Sequence, residues 1–594
     1  MSVLPLRRFG RSAAPAAVRS RNVTAACATP HRSADFAQSQ STAALSPALI
    51  DPDQHGEGHN GAEYEAWMTE GVTHALAPVA TVLGLPGRSG AVSLEIELKL
   101  TAAPADLRRL LKSAEVAALA LSPARAQRLF SSYYDTPTLA LTQAGIALRL
   151  RKIGRRHVLT VKTRGESHAG LHARGEFEAA APGGQLDLAA LVGLDPATAA
   201  LLEASAEALA PLFSTEFRRT ALQVRLPDGG RAELAFDLGE IRAGGAVAAI
   251  SEIEIELLEG RPAEVFALAR QLCRLAPLRI GNRSKAERAF ALLAPIEPAP
   301  KYASALALSS ELPAAQACGQ LLAGALAQLE ANEDGAVHAA DPEFLHQARV
   351  ALRRLRALLR LFKPLLTATE LDALRPRLRA LGHRLGACRD WDVLCTETLP
   401  KLRLGLAEPG ALDGLLDGLM QSAEKRRADA QADVRRALDE ADYTDLKLAV
   451  GALTASLQEP QVAPQEDLGS FARSQLKRAR RRVREAHAQL QPDSIEALHT
   501  LRIEVKNLRY ACDVLGSAFA PKRVRRYVRR LTGLQALLGD FNDAAVAGPR
   551  LRALEAAPDY ALGLIDGYAA ARIYSARAAL PKAWARFMRA KRFW

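Results

Sequence analysis

The chain has 594 residues, 49% of them apolar, and 78 Lys and Arg against 65 Asp and Glu give a formal net charge of +13. That length exceeds what one hydrophobic core organises, so two or more domains are expected, and the charge favours an acidic partner. Aromatics make up only 5%, too few for a platform that stacks single-stranded bases, and no apolar run approaches the ~18 residues of a membrane helix.

The first acidic residue is Asp35, and Arg7, Arg8, Arg11, Arg19, Arg21 and Arg32 precede it. The basic start resembles a transit peptide in composition, but no apolar core or cleavage site follows. Ala, Ser, Gly and Pro dominate as far as Gly90, so residues 1–91 are expected to form a disordered extension. The cysteines (Cys27, Cys273, Cys318, Cys388, Cys395 and Cys512) form no CxxC pair and lack zinc-site spacing. A reduced, cytoplasmic setting is expected.

From Ser93 to about Pro295 the chain reads as period-two strands bounded by Gly, Pro or Asp. In "SLEIELKL" (93–100), Leu94, Ile96, Leu98 and Leu100 share one face, while Glu95, Glu97 and Lys99 share the other. The two carboxylates then stand roughly 6.6 Å apart, from the strand rise. A polar face turned to water explains one such strand. The set is different, because acids and bases are segregated. Arg149 and Arg151 flank Leu150, Thr160 and Lys162 flank Val161, Glu176 and Glu178 flank Phe177, and Glu252, Glu254 and Glu256 alternate with isoleucines. Closing these strands into a barrel with ionic faces inward gives a channel with acid and base patches. Arg and Lys clamp phosphate oxygens, and clustered carboxylates collect Mg²⁺ or Mn²⁺. Together they suit a polyphosphate–metal complex.

The ordered series "SLEIELKL", "YYDT", "LRLRK", "LTVKT", "GLHARGEFE", "FDLGEI", "SEIEIELLEG" and "NRSKAERA" resembles the CYTH, or triphosphate tunnel metalloenzyme, family, whose ExExK signature is matched by Glu95-x-Glu97-x-Lys99. The resemblance implies an eight-stranded antiparallel tunnel over residues 92–295 that binds a linear triphosphate with a divalent metal. It assigns the metal to Glu95, Glu97, Glu252, Glu254 and Glu256, with Asp237 serving either the metal or an organising salt bridge. Lys99, Arg149, Arg151, Lys162, Arg218 and Lys285 grip phosphates, and Glu95, Glu97 and Lys99 form the catalytic set. Arg174 and Arg219 are expected in surface ion pairs, and Tyr133 and Tyr134 in packing.

After a Pro- and Ala-rich linker at 296–310, helical spacing takes over. In "FLHQARVALRRLRALLRLF" (344–362), His346, Arg349, Arg353, Arg356 and Arg360 recur at spacings of 3 and 4. In "ALHTLRIEVKNLRYACDVL" (497–515), His499, Arg502, Lys506 and Arg509 do the same. One position earlier runs an apolar seam, so each helix buries one stripe beside a basic one. The two histidines lie 153 positions apart, as do Asp390 in "LGACRDWDV" and Asp543 in "LGDFNDAAV". A constant offset indicates an internal duplication, here about 311–460 and 465–594. The paired His-x-x-Arg helices resemble the CHAD domain, an all-α family implicated in binding inorganic polyphosphate. The resemblance places His346, Arg349, Arg353, Arg356, His499, Arg502, Lys506 and Arg509 on the binding surface. "LKRARRRVR" and "PKRVRRYVRR" are expected to be peripheral basic faces.

The expected architecture is multidomain α+β, a β tunnel followed by a duplicated helical bundle. The expected function is metal-dependent hydrolysis of inorganic tripolyphosphate, with the helical half holding long-chain polyphosphate and the protein localised at polyphosphate granules. A non-catalytic polyphosphate binder, an adenylate cyclase or a thiamine triphosphatase-type activity are the alternatives. Nucleic acid and membrane partners are not expected.

Overall fold

A computed structural model describes residues 93–594, apart from 295–296, 305, 340, 405–412, 461–464, 492–493 and 553–558. The expected extension at 1–91 lies outside the described residues. The strands are β1 (Ser93–Thr101), β2 (Arg125–Asp135), β3 (Ala147–Ile153), β4 (Arg156–Lys162), β5 (Glu166–His168), β6 (Leu171–Ala180), β7 (Ala210–Arg225), β8 (Arg231–Ala243), β9 (Ala246–Glu259) and β10 (Arg279–Ile280). Among them run α1 (Pro104–Leu111), α2 (Ala114–Leu119), α3 (Ala140–Gln143), α4 (Pro196–Ser205), α5 (Pro262–Cys273) and α6 (Lys285–Leu293).

The sheet order is β10-β1-β9-β8-β7-β2-β3-β4-β6-β5, and β1 also pairs with β6. That last pairing closes eight antiparallel strands into a barrel, with β5 and β10 appended. Alternation then assigns every side chain to the lumen or the outside. The barrel is apolar outside and ionic inside. Leu98, Leu100, Leu234, Phe236, Ile253 and Ile255 point outward and pack under α1 and α5. A second outer cluster, Leu148, Leu159, Val161 and Phe177, packs against Leu141 and Leu202 of α3 and α4.

One end of the lumen is plugged. Leu129, Tyr133, Phe213, Phe217, Ile241 and Ile250 share the inward parity and pack against Ala286, Ala289 and Phe290 of α6. Ser284 caps α6 by accepting from the Glu287 N–H, and Glu287 reaches back to the Ser284 N–H. This cap sets Lys285 at the first helical position, beneath the ionic part of the lumen.

The helical half comprises α7 (Ala314–His338), α8 (Glu343–Leu361), α9 (Ala368–Val393), a π-helical turn (Leu394–Thr398), α10 (Leu399–Leu404), α11 (Asp413–Asp439), α12 (Ala441–Gln458), α13 (Leu468–Ala488), α14 (Ile495–Leu515), α15 (Pro521–Arg552) and α16 (Asp559–Met588). The two stripe motifs fall on α8 and α14, with their apolar seams (Leu345, Ala348, Leu352, Leu355, Leu359; Leu498, Leu501, Val505, Leu508, Cys512) buried. The two halves share one hydrophobic cluster, which runs from the outer face of the barrel through α5 into the helices. Arg270 of α5 grips Asp445 of α12 at 2.7 and 3.1 Å. Gly451 of α12 packs so closely that a Cβ there would lie 2.5 Å from the Phe266 ring and 2.8 Å from the Ala169 side chain.

Candidate active site: an ion-lined tunnel

The register lays charged residues in rows across the barrel. Glu97 stands opposite Glu256, Lys99 opposite Glu254, and Glu95 opposite Arg174. Lys162 pairs with Glu176, Tyr133 with Arg149, Arg219 with Asp237, and Asp237 with Glu252. The result is a cavity of ≈ 230 Å³. Glu95, Glu97, Lys99, Arg149, Arg151, Lys162, Glu254, Glu256 and Lys285 all line it, joined by Tyr133, Arg174, Glu176, Glu178 and Arg219.

The floor is an ion network. Lys285 Nζ donates to Asp237 Oδ2 at 2.8 Å and to Glu254 Oε1 at 2.9 Å, and it also pairs with Glu252. Arg219 holds Asp237 in bidentate fashion at 2.8 and 2.7 Å and contacts Glu254. Arg288 closes on Glu252 at 3.0 Å. Asp237, Glu252 and Glu254 lie close enough together to hold a cation, and the Lys285 ammonium sits among them. Burial disfavours that ammonium, but the three carboxylates outweigh it and raise its pKa. Of the two roles open to Asp237, the geometry displays the ion pair. Asp237 and Glu252 lie behind Lys285, off the cavity wall.

The upper wall is different. Glu95 accepts from Lys162 at 2.7 and 2.8 Å and from Arg174 at 3.0 Å, and Glu97 pairs with Lys99 at 2.7 Å and with Arg174. Burial would raise the Glu97 carboxyl, yet Lys99, Arg174 and Lys162 hold it at about 2. Glu256 has no hydrogen bond or ion pair among the described residues. Burial, with the carboxylates of Glu95, Glu233, Glu97 and Glu176, pushes it up to about 7. Negative charge is thus in excess around Glu95, Glu97, Glu176 and Glu256. Carboxylate oxygens are the donors that hard divalent cations take, although among the described residues the three carboxylates whose ligand atoms lie close enough for one ion are Asp237, Glu252 and Glu254. Across the cavity Arg149 and Arg151 stand side by side, and burial together with Arg149 brings Arg151 down to about 10. A wall of crowded guanidinium groups is one that gains from an anion.

Two expectations are corrected. Arg218 lies exposed on the outside of β7, opposite Leu238, and Arg219 is the lumen residue. Strand alternation allows only one of two adjacent arginines inside, and the buried Phe213, Thr215 and Phe217 fix which. Arg174 and Arg219 are not in surface pairs, since each bridges two buried carboxylates. Tyr133 packs on Phe213 at 4.6 Å, in keeping with the packing role expected of it, and also lines the cavity beside Arg149. Glu176 and Glu178 were visible as alternating acids without a role. Their position opposite Lys162 and Thr160 supplies one.

In the helical half, His346, Arg349 and Arg353 lie half-buried on α8, with Arg389 of α9 close enough to bear on His346 and Arg349. Burial and these arginines lower the His346 pKa, against Glu343. Arg353 stacks over the Tyr510 ring of α14 at 5.4 Å, and Tyr510 also interacts with Arg349 and Arg360. The two stripe helices therefore meet. Arg356 is exposed near Arg379. Arg509 is held by Asp513 at 2.9 and 3.0 Å and by Thr532, so it faces its own copy. His499, Arg502 and Lys506 lie along α14 with partners of their own. The side chain of Asp543 lies outside the described residues.

Comparison with known proteins agrees with this geometry. The CYTH domain family matches residues 93–290, and the CHAD domain family matches residues 320–552. An inorganic triphosphatase of Haemophilus influenzae is 35% identical over 173 residues, which is 28% of this chain and 47% of that enzyme. The chain thus spans about half the length of this curated relative. Among solved structures, a CHAD domain from Ricinus communis is 30% identical (TM-score 0.44), covering 50% of this chain and 99% of that one. A Hippeastrum protein described as a candidate adenylyl cyclase with a dominant triphosphatase activity is 24% identical (TM-score 0.25), covering 34% of this chain and 99% of that one. In its tunnel half and its helical half respectively, this protein carries a CYTH domain and a CHAD domain.

Proposed function

We propose that the tunnel hydrolyses a linear triphosphate, with inorganic tripolyphosphate as the preferred substrate, to pyrophosphate and phosphate. The observation that carries this reading is the cavity's lining. Cations and carboxylates face each other across ≈ 230 Å³, and only Ala147, Ala286 and Tyr133 are uncharged apart from Ser284. Such a space suits a chain of phosphates and lacks the apolar slot that a nucleobase requires.

Arg149, Arg151 and Lys162 grip the phosphate oxygens from one wall, with Lys99, Arg174 and Arg219 released in part from their carboxylates to join them. Glu95, Glu97 and Glu256 would hold Mg²⁺ or Mn²⁺, aided by Glu176. When bound, the metal supplies charge neutralisation and an activated water. The network of Lys285, Asp237, Glu252 and Glu254 fixes the floor on which these groups are oriented. In the helical half, Arg349, Arg353, His346 and Arg389 offer a surface for long-chain polyphosphate, with Arg502, Lys506 and His499 from the second copy. Such binding would place the enzyme at cytoplasmic polyphosphate granules.

Phosphate release is to be measured from tripolyphosphate, ATP and thiamine triphosphate with Mg²⁺ or Mn²⁺, alongside cyclic AMP formation from ATP. Tripolyphosphate is expected to lead, and Glu95→Gln and Glu97→Gln to abolish turnover. Equal activity in wild type and both variants would sink the metal-site assignment. No turnover of any triphosphate, with tight polyphosphate binding, would make the protein a receptor.

A further inference from the structure

The signature lysine is held from both sides of its backbone by segments that the helical half anchors. Lys99 N–H donates to Gly170 O at 2.9 Å, and Lys99 O accepts from Gly281 N–H at 2.9 Å. Gly170 belongs to the turn between β5 and β6. Its N–H donates to Asn282 Oδ1 at 2.9 Å, and the preceding Ala169 N–H donates to Glu330 Oε2 at 3.0 Å. Glu330 lies on α7, in the helical half, with a side chain only 5% exposed.

The turn is not self-supporting. Ala169 and Gly170 are both left-handed, at φ +49° and +77°. Glycine takes that conformation freely, and here it must be glycine, because a Cβ would lie 2.8 Å from Lys99 O. Alanine takes it only when the surroundings over-determine it. Those surroundings are the Glu330 carboxylate, which accepts the Ala169 N–H, and α12, whose Gly451 allows it to close over Ala169.

We propose that Glu330 is a positioning residue for the tunnel. By holding the Ala169–Gly170 turn it fixes the backbone of Lys99, and so keeps the Lys99 ammonium at 2.7 Å from Glu97 and 2.6 Å from Glu254. The helical half thereby completes the triphosphate site as well as carrying a surface of its own. This inference rests on the hydrolytic reading only for its kinetic consequence.

The test uses the full chain and compares Glu330→Gln, which keeps an acceptor, with Glu330→Met, which keeps the volume without one. Amide hydrogen exchange at Lys99 is read against the β7 and β8 amides as a control for folding. The Met variant is expected to exchange Lys99 roughly tenfold faster with the control unchanged, and the Gln variant to stay within about twofold of wild type. Adding Ala169→Gly to the Met variant is expected to restore part of the protection, since glycine adopts the left-handed conformation without the strain that alanine carries there. In tripolyphosphate hydrolysis, kcat is expected to follow the same order, with KM less affected. Unchanged Lys99 exchange in a folded Met variant overturns the proposal. Loss of protection in the Gln variant also overturns it, and that arm stands even where the Met variant does not fold. A wild-type chain without hydrolytic activity would sink the proposed function and leave the exchange result to decide the positioning role.

Discussion

Replacing Lys285 with Met removes one ammonium from among three buried carboxylates. Asp237, Glu252 and Glu254 are 0%, 1% and 7% exposed, so water cannot take over the lost partner. Arg219 remains on Asp237 and Glu254, and Arg288 on Glu252. Removing one member of a buried ion network costs about 3–5 kcal/mol, because the remaining charge is left uncompensated. For a domain of this size that corresponds to a fall in Tm of roughly 6–20 °C. The vacated space is lined by hard oxygen donors, so Mg²⁺ or Mn²⁺ is expected to raise the variant's Tm more than the wild type's. Thermal scans with and without metal read both effects. A Lys285→Met protein that melts with the wild type would refute the view that the floor is held by its charge balance. A variant that is destabilised but indifferent to metal would refute the view that Lys285 stands in a cation's place.

On β7, Arg219→Ala is expected to lower stability by about 3–5 kcal/mol, while Arg218→Ala stays within about 0.5 kcal/mol. Chemical denaturation giving the reverse order would contradict the assignment of faces. At the domain junction, burial raises the Glu330 carboxyl from its usual 4.5 to about 6, against Lys447 and with Glu333 adding to the rise. Its folded pKa lies above its unfolded one, so the stability it contributes is present below about pH 4.5 and lost as pH rises through 6. The size is about 2 kcal/mol. Denaturation midpoints compared between wild type and Glu330→Gln across pH 4.5–7.5 should show that slope vanish in the variant. In the helical half, Arg353→Ala is expected to weaken long-chain polyphosphate binding and its salt dependence more than Arg509→Ala, because Arg509 is already held by Asp513 and Thr532. Titration at two salt concentrations checks the order.

The sequence by itself determined the strand identities, the ionic inner face, the helical second half and its two basic stripes. Each follows from a short-range period, two for strands and 3.6 for helices, which survives any tertiary arrangement. Only the tertiary structure decided between Arg218 and Arg219, since adjacent arginines are equivalent until a partner strand sets the parity. It alone drew Arg174 into the lumen, by pairing β6 with β1 and closing the barrel. It also separated one acidic run into two environments. Glu252 and Glu254 are neutralised by a lysine that arrives from a helix some thirty residues on, while Glu256 is left among other carboxylates. The contact of Glu330 with the turn beside Lys99 joins positions 161 residues apart. No local pattern encodes a pairing at that distance, because it exists only once both halves have packed on a common core.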